Sequence, residues 1–508
     1  MMHTVGSLGM EYFLGLDNGG TMCKAVVFDK YGHAVCKKSE KLRMLTPAPK
    51  CTERDMEELW KANIKVLHDV VEGSGVDPSQ IKALACSGHG KGLYLWGKDN
   101  RPVRNGIVST DGRASEWKRR WEQDGTARKV FETNYQGIMS CQPVCLLRWL
   151  KENEPENYRN IRWIFEVKDY IRFRLTGKAR AEVTDYSGSN LMDLSRKAFT
   201  RENLALFGIE EMYDALPPIA MSVEICGAIT TEVARCTGLR EGMPVAGGMF
   251  DIDACSIGMD IVQNNFLCVI AGTWGINQYI SRTPVLDHSV EMNSFYCYGD
   301  YYLIEESSAT SAGNLEWYIR MFLGKEAMEA KARNRNIYQI CDELVSSVRP
   351  EDDEIVFLPY IFGSNYNPNA KACLIGMDSH HTQAHMLRAV FEGIVFCHKV
   401  HIEKLWRNNS FKAVRMAGGA TNSVIWTQMF ADIIGLPIEI VECDEIGALG
   451  CAMAAAVASG TYADLREAGG AMSRIKRIVE PDAAMKAVYA RKYQRYKEIS
   501  HALDAYWG

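Results

Sequence analysis

Several large classes of protein leave marks that this sequence lacks. No G-x-x-x-x-G-K-[ST] stretch occurs in its 508 residues, which excludes a P-loop nucleotide site. The nearest thing to a dinucleotide fingerprint is Gly88-His89-Gly90-Lys91-Gly92, and Leu93 stands where the third glycine of that fingerprint belongs. No C-x-x-C pair exists among 16 cysteines, which argues against a zinc ribbon, and their irregular spacing reads as buried reduced thiols and not as a disulfide framework. The net charge is −5 and no basic stripe is present; Lys118, Arg119 and Arg120 sit between Trp117 and Trp121 and read as a solvated helix face. This argues against a nucleic-acid binder. No convincing transmembrane helix appears: the uncharged run Ile446 to Ala463 is made mostly of Gly, Ala, Ser and Thr and reads as a tightly packed internal helix. The first ten or so residues have neither periodicity nor the apolar core of a signal peptide, so a cytoplasmic protein with a loose N-terminus is expected.

Hydrophobic residues make up 47% and charged residues 24%, an ordinary globular mixture, and the length allows two to four domains. Glycine is the one skew, at 42 against 15 prolines, so its placement carries the meaning. The apolar run Tyr12 to Leu16 leads into Asp17-Asn18-Gly19-Gly20-Thr21, and a second run follows, Ala25 to Phe28. Far downstream the pattern returns: Phe266 to Ile270, then Ala271-Gly272-Thr273-Trp274-Gly275, then Ile276 to Ile280. Each reads as strand, small turn, strand. Backbone amides in such turns can converge on an anion, because glycine lets the chain come close. Two copies, one opening each half, point to a duplicated domain with a boundary near residue 260 and a cleft between the halves.

Other elements follow from local signals. Asp55 to Glu58 is a D-x-x-E capping pattern that opens a helix through Leu67. Ile81 to Cys86 is a strand; Cys145 to Leu150 and Val167 to Leu175 are helical. Val245-Ala246 runs into Gly247-Gly248-Met249-Phe250-Asp251. Thr382 to His401 is a long helix, and Val414 to Met416 is a strand leading through Ala417-Gly418-Gly419-Ala420 to a helix from about Ser423 to Ile434. Strands alternate with helices, so the class is α/β. His380, His381 and His385 lack a carboxylate or cysteine at helical spacing and read as a helix N-terminus with Thr382 as its cap, not as a metal site.

Two aspartates, Asp17 and Asp251, end strands inside glycine-rich turns. Either alone is an ordinary turn residue. Together with the repeated turns they supply what phosphoryl transfer needs: a phosphate cradle, a carboxylate for magnesium, and a carboxylate to take the acceptor's proton.

These residues resemble the FGGY carbohydrate kinases, which have the actin/hexokinase/Hsp70-like ATPase fold. The resemblance runs from Tyr12 to the C-terminus. It rests on Gly15-Leu16-Asp17-Asn18-Gly19-Gly20-Thr21 with Lys24-Ala25, on Glu53, Asp55 and Trp60, on Gly247 to Asp251 with Gly258, and above all on Ala372 to Glu392. Gly418-Gly419-Ala420, Ser423, Trp426, Gln428 and Asp432 resemble the family's adenosine-binding loop and helix. The resemblance implies two related ribonuclease H-like domains with a cleft between them, residues 11–259 for sugar and catalytic base and 260–508 for ATP. It implies ATP-dependent phosphorylation of a primary hydroxyl with Mg²⁺, Asp251 being the general base and Asp17 the magnesium ligand. Gly20, Thr21, Lys24, Gly272 and Thr273 would meet the ATP phosphates, and Gly418, Gly419, Ala420 and Ser423 the adenosine.

Within the family, Gly90-Lys91-Gly92-Leu93, Glu224-Ile225-Cys226-Gly227, Phe250-Asp251 and Ser311 to Trp317 resemble the bacterial L-xylulose kinases. That implies a ketopentose substrate, L-xylulose, held by His89, Lys91, Asp111, Arg113 and Asp251. Those kinases carry glutamine where His89 stands, a departure expected to bear on the shape of the sugar pocket and so on which sugar is used. The alternatives are another pentulose, a polyol such as erythritol, or a non-catalytic member of the fold. The resemblance implies small-molecule partners only, with no nucleic acid and no membrane, and a homodimer.

Overall fold

The apolar run at the start becomes a strand, Tyr12–Asn18, in a computed structural model that describes residues 9–364, 367 and 369–507. The expected loose N-terminus falls on residues 1–8, which lie outside the described residues. Met22–Asp29 returns antiparallel to the first strand, with Leu16 opposite Ala25 and Asp17 opposite Lys24. Asp29 ends it: its carboxylate accepts the backbone N–H of Tyr31 and of His33, an Asx turn that starts the third strand, Ala34–Lys41. Asp55 caps the following helix, accepting the N–H of Glu57 and Glu58. That helix, Met56–Ser74, runs past the expected end at Leu67 because Val70 and Val71 continue its buried face. It is the crossover to Ile81–Gly88, which pairs parallel with the first strand.

The complete order in this sheet is Ile225–Ala228, Pro244–Ala246, Ile81–Gly88, Tyr12–Asn18, Met22–Asp29, Ala34–Lys41, with Met249–Phe250 pairing parallel to the end of Ile81–Gly88. A second sheet repeats the plan. Phe266–Ala271 and Gly275–Ser281 form the antiparallel hairpin. Ala413–Ala417 pairs parallel with Phe266–Ala271, Ile438–Val441 parallel with Ala413–Ala417, and Ile475–Val479 closes the edge antiparallel. Counting outward from each hairpin, the strand senses are identical: two parallel neighbours, then an antiparallel edge. A duplicated domain gives this result.

By its contacts the chain divides into two units. The first holds the chain up to Val262, with Ile280–Leu303 and Cys443–Arg474; the second holds Gln263–Tyr279, Ile304–Glu442 and the chain from Ile475. The segment Cys443–Arg474 joins the first unit through the uncharged run picked out in the sequence, which forms the buried helix Ile446–Ala458. Its small residues let backbones meet. A Cβ on Gly15 would lie 2.0 Å from the Ala448 carbonyl oxygen, and one on Gly450 would lie 2.1 Å from that of Ala254. No described helix is long and apolar enough to cross a membrane. The cysteines are free of disulfides and mostly buried. The basic cluster lies on the helix Ser115–Gln123, where Arg119 and Arg120 pair with Glu116 on the exposed face.

Candidate active site

The first phosphate-type turn is anchored from below. Asp17 sits between Lys24 and Ser87 on its two neighbouring strands. Ser87 Oγ donates to Asp17 Oδ1 at 2.7 Å. Burial raises the Asp17 pKa; the Ser87 hydrogen bond and the Lys24 charge work against that rise. Lys24 Nζ is already engaged, 2.8 Å from Glu445 Oε2, and Lys37 reaches the same carboxylate at 3.6 Å. Glu445 was not legible as a site residue, since it precedes the Ile446–Ala458 helix more than four hundred residues away. At the tip of the turn, a Cβ on Gly20 would meet nothing within 4 Å, so its amide is approachable. The Gly20 carbonyl accepts from Arg54, a buried guanidinium whose Nε and Nη1 have no partner among the described residues. Arg54 stands inside the expected Glu53/Asp55 motif, but no local signal in the sequence marks it.

At the end of Ile81–Gly88 the chain enters His89-Gly90-Lys91-Gly92. His89 is buried and saturated: Nδ1 donates to the Gly90 carbonyl at 3.3 Å and Nε2 accepts from Tyr94 Oη at 2.9 Å. Burial, and then the Arg54 charge, push its pKa down to about 3, so it is neutral. Lys91 takes φ 64°, and its ammonium lies 5.3 Å from the centre of the Phe250 ring. Asp111 and Arg113 come together as expected, but largely with each other. Arg113 Nε and Nη2 donate to the two Asp111 oxygens at 2.9 Å, Nη2 also reaches Glu53 at 2.8 Å, and Thr52 N–H donates to Asp111 at 2.7 Å.

Asp251 begins the helix Asp251–Gly258, directly after the short strand Met249–Phe250. The strand is clamped. Phe250 N–H donates to Thr184 Oγ1 at 2.9 Å, Gly247 N–H to Glu224 O at 2.8 Å and Gly248 N–H to Ser222 O at 2.9 Å, while the Arg172 guanidinium bonds the Gly247 carbonyl. Gly248 must be glycine: φ is 75°, and a Cβ would stand 1.9 Å from the Cys86 carbonyl oxygen. Behind the clamp lies a buried ion cluster in which Lys168 Nζ meets Asp169 at 2.7 Å, Asp185 at 3.0 Å and Glu182 at 3.3 Å. None of these residues was legible as functional; the only signal was the polar run Glu182 to Asn190, which is buried almost throughout.

The second unit gathers the other turn residues. Gly418, at φ 98°, packs where a Cβ would be 2.4 Å from the Ala271 carbonyl oxygen. The Gly418-Gly419-Ala420 turn therefore lies against the end of the strand that opens Gly272-Thr273. Gly419, like Gly20, has open space where a Cβ would be. The Gly272 carbonyl accepts from Ala312 N–H at 2.9 Å. Gly275 rests on the buried, neutral His398, whose Nε2 is 2.9 Å from Ser311 Oγ and Nδ1 2.8 Å from Asn277 Oδ1. Ser423 is committed within the protein: its hydroxyl accepts from Trp426 N–H at 3.0 Å as the cap of Val424–Ile434 and donates to Asp342 at 2.7 Å.

Thr382 caps the helix Gln383–Trp406, as the sequence implied, in a reciprocal box with His385. A carboxylate does accompany these histidines: Asp378, across a turn and not at helical spacing, brings its ligand atoms within 4.8 Å of those of His380 and His381. The hydrogen bonds oppose metal binding. His381 Nδ1 accepts Asp378 N–H at 2.9 Å, which keeps the ring proton on Nε2.

The N-terminal domain of the FGGY family of carbohydrate kinases matches residues 12–258, and its C-terminal domain matches residues 267–459. The chain is 36% identical over 502 residues to the L-xylulose/3-keto-L-gulonate kinase of Escherichia coli, covering 98% of each protein. It is 35% identical over 503 residues to the probable L-xylulose kinase of Pasteurella multocida, covering 98% of this chain and 100% of that one. Among solved structures, the gluconate kinase from Lactobacillus acidophilus superposes with a TM-score of 0.88 at 24% identity, over 98% of this chain and 99% of that one. At that identity the likeness speaks for the fold alone.

Proposed function

Because the chain belongs to the FGGY family of carbohydrate kinases, we propose that it transfers the γ-phosphate of ATP to the primary hydroxyl of a ketopentose, L-xylulose, giving L-xylulose 5-phosphate. The observation that carries this is end-to-end identity of 35–36% with two kinases named for L-xylulose.

In this reading Asp251 takes the proton of the acceptor hydroxyl. The freed oxygen bonds to the γ-phosphorus as the bond to the β–γ bridging oxygen breaks, and ADP leaves. General-base help of this kind is worth roughly 10²- to 10⁴-fold. The clamp on Gly247 to Phe250 fixes where Asp251 stands, which supports a positional role. Lys91, Asp111, Arg113 and His89 border the acceptor. His89 is neutral and internally bonded, so it acts by shape and by holding Gly90.

Gly20, Thr21, Gly272 and Thr273 offer backbone amides to ATP phosphates, and Gly418, Gly419 and Ala420 accommodate the adenosine. Ser423 supports the adenosine segment as a helix cap. Lys24 serves the phosphates by exchanging part of its pairing with Glu445. Asp17 suits Mg²⁺: one carboxylate, with one oxygen fixed by Ser87, is the sparse oxygen donor set magnesium takes while keeping most of its water. When bound, the ion neutralises charge on the phosphate oxygens. We assign residues 11–259 the sugar and the base and residues 260–508 the nucleotide, and place the enzyme in the cytoplasm as a homodimer, which light scattering in solution tests.

The test is a panel of L-xylulose, D-xylulose, ribuloses, 3-keto-L-gulonate, glycerol and erythritol with Mg-ATP, scored by kcat/KM. L-xylulose ranks first, and Asp251→Asn lowers kcat by about 10²- to 10⁴-fold with folding retained. Full activity in Asp251→Asn would remove it from the base role, and a higher kcat/KM for another acceptor would replace the substrate.

A further inference from the structure

Next to the Phe250–Asp251 corner lie two buried carboxyl groups for which the fold supplies too few partners. Glu166 immediately precedes the helix Val167–Thr176 but makes no capping bond. It is 1% exposed, and neither of its side-chain oxygens has a hydrogen-bond partner among the described residues. Asp185 lies on the short helix Val183–Ser187 and is 2% exposed. Its Oδ2 faces Lys168 Nζ at 3.0 Å; its Oδ1 has no partner. A buried carboxyl oxygen without a donor costs about 1–3 kcal/mol or more, and native proteins carry few of them. Lys168 cannot relieve both, because it already serves Asp169 and Glu182.

Their place is informative. A Cβ on Gly90 would stand 2.9 Å from Asp185 Oδ1 and 2.5 Å from the Phe250 ring. The orphaned oxygen therefore meets the turn that carries His89 and Lys91 and the residue that precedes Asp251. Glu166 lies within the electrostatic reach of Asp185 and of Lys91, and its neighbour Val167 packs on Gly88. Only glycine lets the turn pack this closely, because a Cβ at Gly90 would collide with the Phe250 ring and crowd Asp185 Oδ1.

We propose that Asp185 Oδ1 and the Glu166 carboxyl hydrogen-bond hydroxyls of the acceptor on carbons that are not phosphorylated, and so set which polyhydroxylated sugar is used. The inference rests on the sugar-kinase reading above and extends its pocket to a second wall. The acceptor class follows: a neutral chain bearing adjacent hydroxyls, each able to donate and accept. Burial favours that exchange, because it holds Glu166 well above the usual carboxylate range and Asp185 at about 7. A protonated acid beside an ionised one offers one donor and several acceptors, the complement of a diol.

The experiment crosses two deletions. Glu166→Met and Asp185→Asn roughly keep size; the first removes both carboxyl oxygens and the second exchanges an acceptor oxygen for a donor, while deoxy analogues of L-xylulose remove one hydroxyl at a time. Wild type is expected to prefer the complete sugar over the critical deoxy analogue by about 5- to 100-fold in kcat/KM. Glu166→Met is expected to reduce that preference to within about threefold, chiefly through KM for the sugar, with KM for ATP unchanged. A role in structure alone would lower kcat/KM for every acceptor by one common factor. An unchanged preference against all the analogues, in an active variant, overturns the inference and leaves the sugar-kinase reading intact. A wild type inactive on every ketopentose defeats that reading first, and this wall with it. Asp185→Asn also disturbs the Lys168 cluster; Glu166 belongs to no ion pair among the described residues, so its variant decides the matter if the other fails to fold.

Discussion

Thr184→Val removes one hydroxyl and almost no volume, and it isolates the clamp on Asp251. The hydroxyl accepts the Phe250 N–H at 2.9 Å and donates to Glu182 Oε2 at 2.7 Å, with all three residues buried. Valine leaves the Phe250 N–H without that partner, at about 1–3 kcal/mol. It also takes a donor from a charged acceptor, a bond worth about 1.5–3 kcal/mol. Glu182 keeps Ser222 Oγ at 2.7 Å and Lys168 at 3.3 Å, so the second loss falls at the low end. The expected destabilisation is about 2.5–4.5 kcal/mol, read as a shift in the urea midpoint by tryptophan fluorescence. Asp251 follows Phe250 directly, so kcat should also fall, by about 10²-fold for a displacement near 1 Å. Thr184→Ser keeps the hydroxyl and should restore both readings. If Thr184→Val shifts stability by less than about 0.5 kcal/mol and leaves kcat unchanged, the clamp does not position the base.

Two further outcomes probe the two units separately. In the second unit, burial alone would lower the His401 pKa, but hydrogen bonds and charge from Cys397 and Glu306 outweigh it and raise the value to about 9. Glu306 Oε2 also holds Lys404 at 2.8 Å, and burial pushes the pKa of the neighbouring His398 down to about 3, so it stays neutral across this range. A raised folded-state pKa means that the stabilisation is complete below about pH 6.5, the unfolded value, and is lost as pH rises through 9. Up to about 3 kcal/mol is at stake, and His401→Gln should flatten that decline in a pH series of melting temperatures; an unflattened decline would assign it to other groups. In the first unit, Gly15→Ala sets a Cβ 2.0 Å from the Ala448 carbonyl and should cost about 1–3 kcal/mol or more, seen as a lower melting temperature, whereas Gly20→Ala meets open space and should not. Equal stability of the two would contradict the close helix–strand contact.

The duplication was legible because its signals are local. A strand of alternating or continuous apolar residues, a turn of Gly and Thr, and a returning strand all lie within about twenty residues, and both copies fold as read. Helix starts were legible for the same reason: Asp55 and Thr382 cap where the sequence placed them, and Val424–Ile434 starts within a residue of its expected beginning. Ends were less so, because Met56–Ser74 continues for as long as the rest of the fold covers Val70 and Val71. The affiliation of Ile446–Ala458 was out of reach. Its small residues announced close packing, but Gly15 and Ala254, the backbones it packs on, are remote in sequence.

The same division explains which candidate site residues were visible. Motif glycines and turn aspartates announce themselves by neighbours in the chain. The groups that tension the site do not: Glu445 holds Lys24 across 421 residues, and Thr184 holds Phe250 across 66. This changes the chemistry expected of Lys24. Read from sequence, it is a cation waiting for phosphate; in the fold it is a cation already 2.8 Å from a carboxylate. A phosphate dianion can draw it away only by offering more than Glu445 does, and the partly exposed pair favours exchange because its net worth is small. Ser423 differs, since its hydroxyl is spent twice, on Trp426 and Asp342, and removing either bond loosens the helix it caps. A substitution there therefore tests the cap before it tests any proposed nucleotide contact, whereas one at Lys24 or Glu445 alters the charge beside the Asp17–Thr21 turn directly.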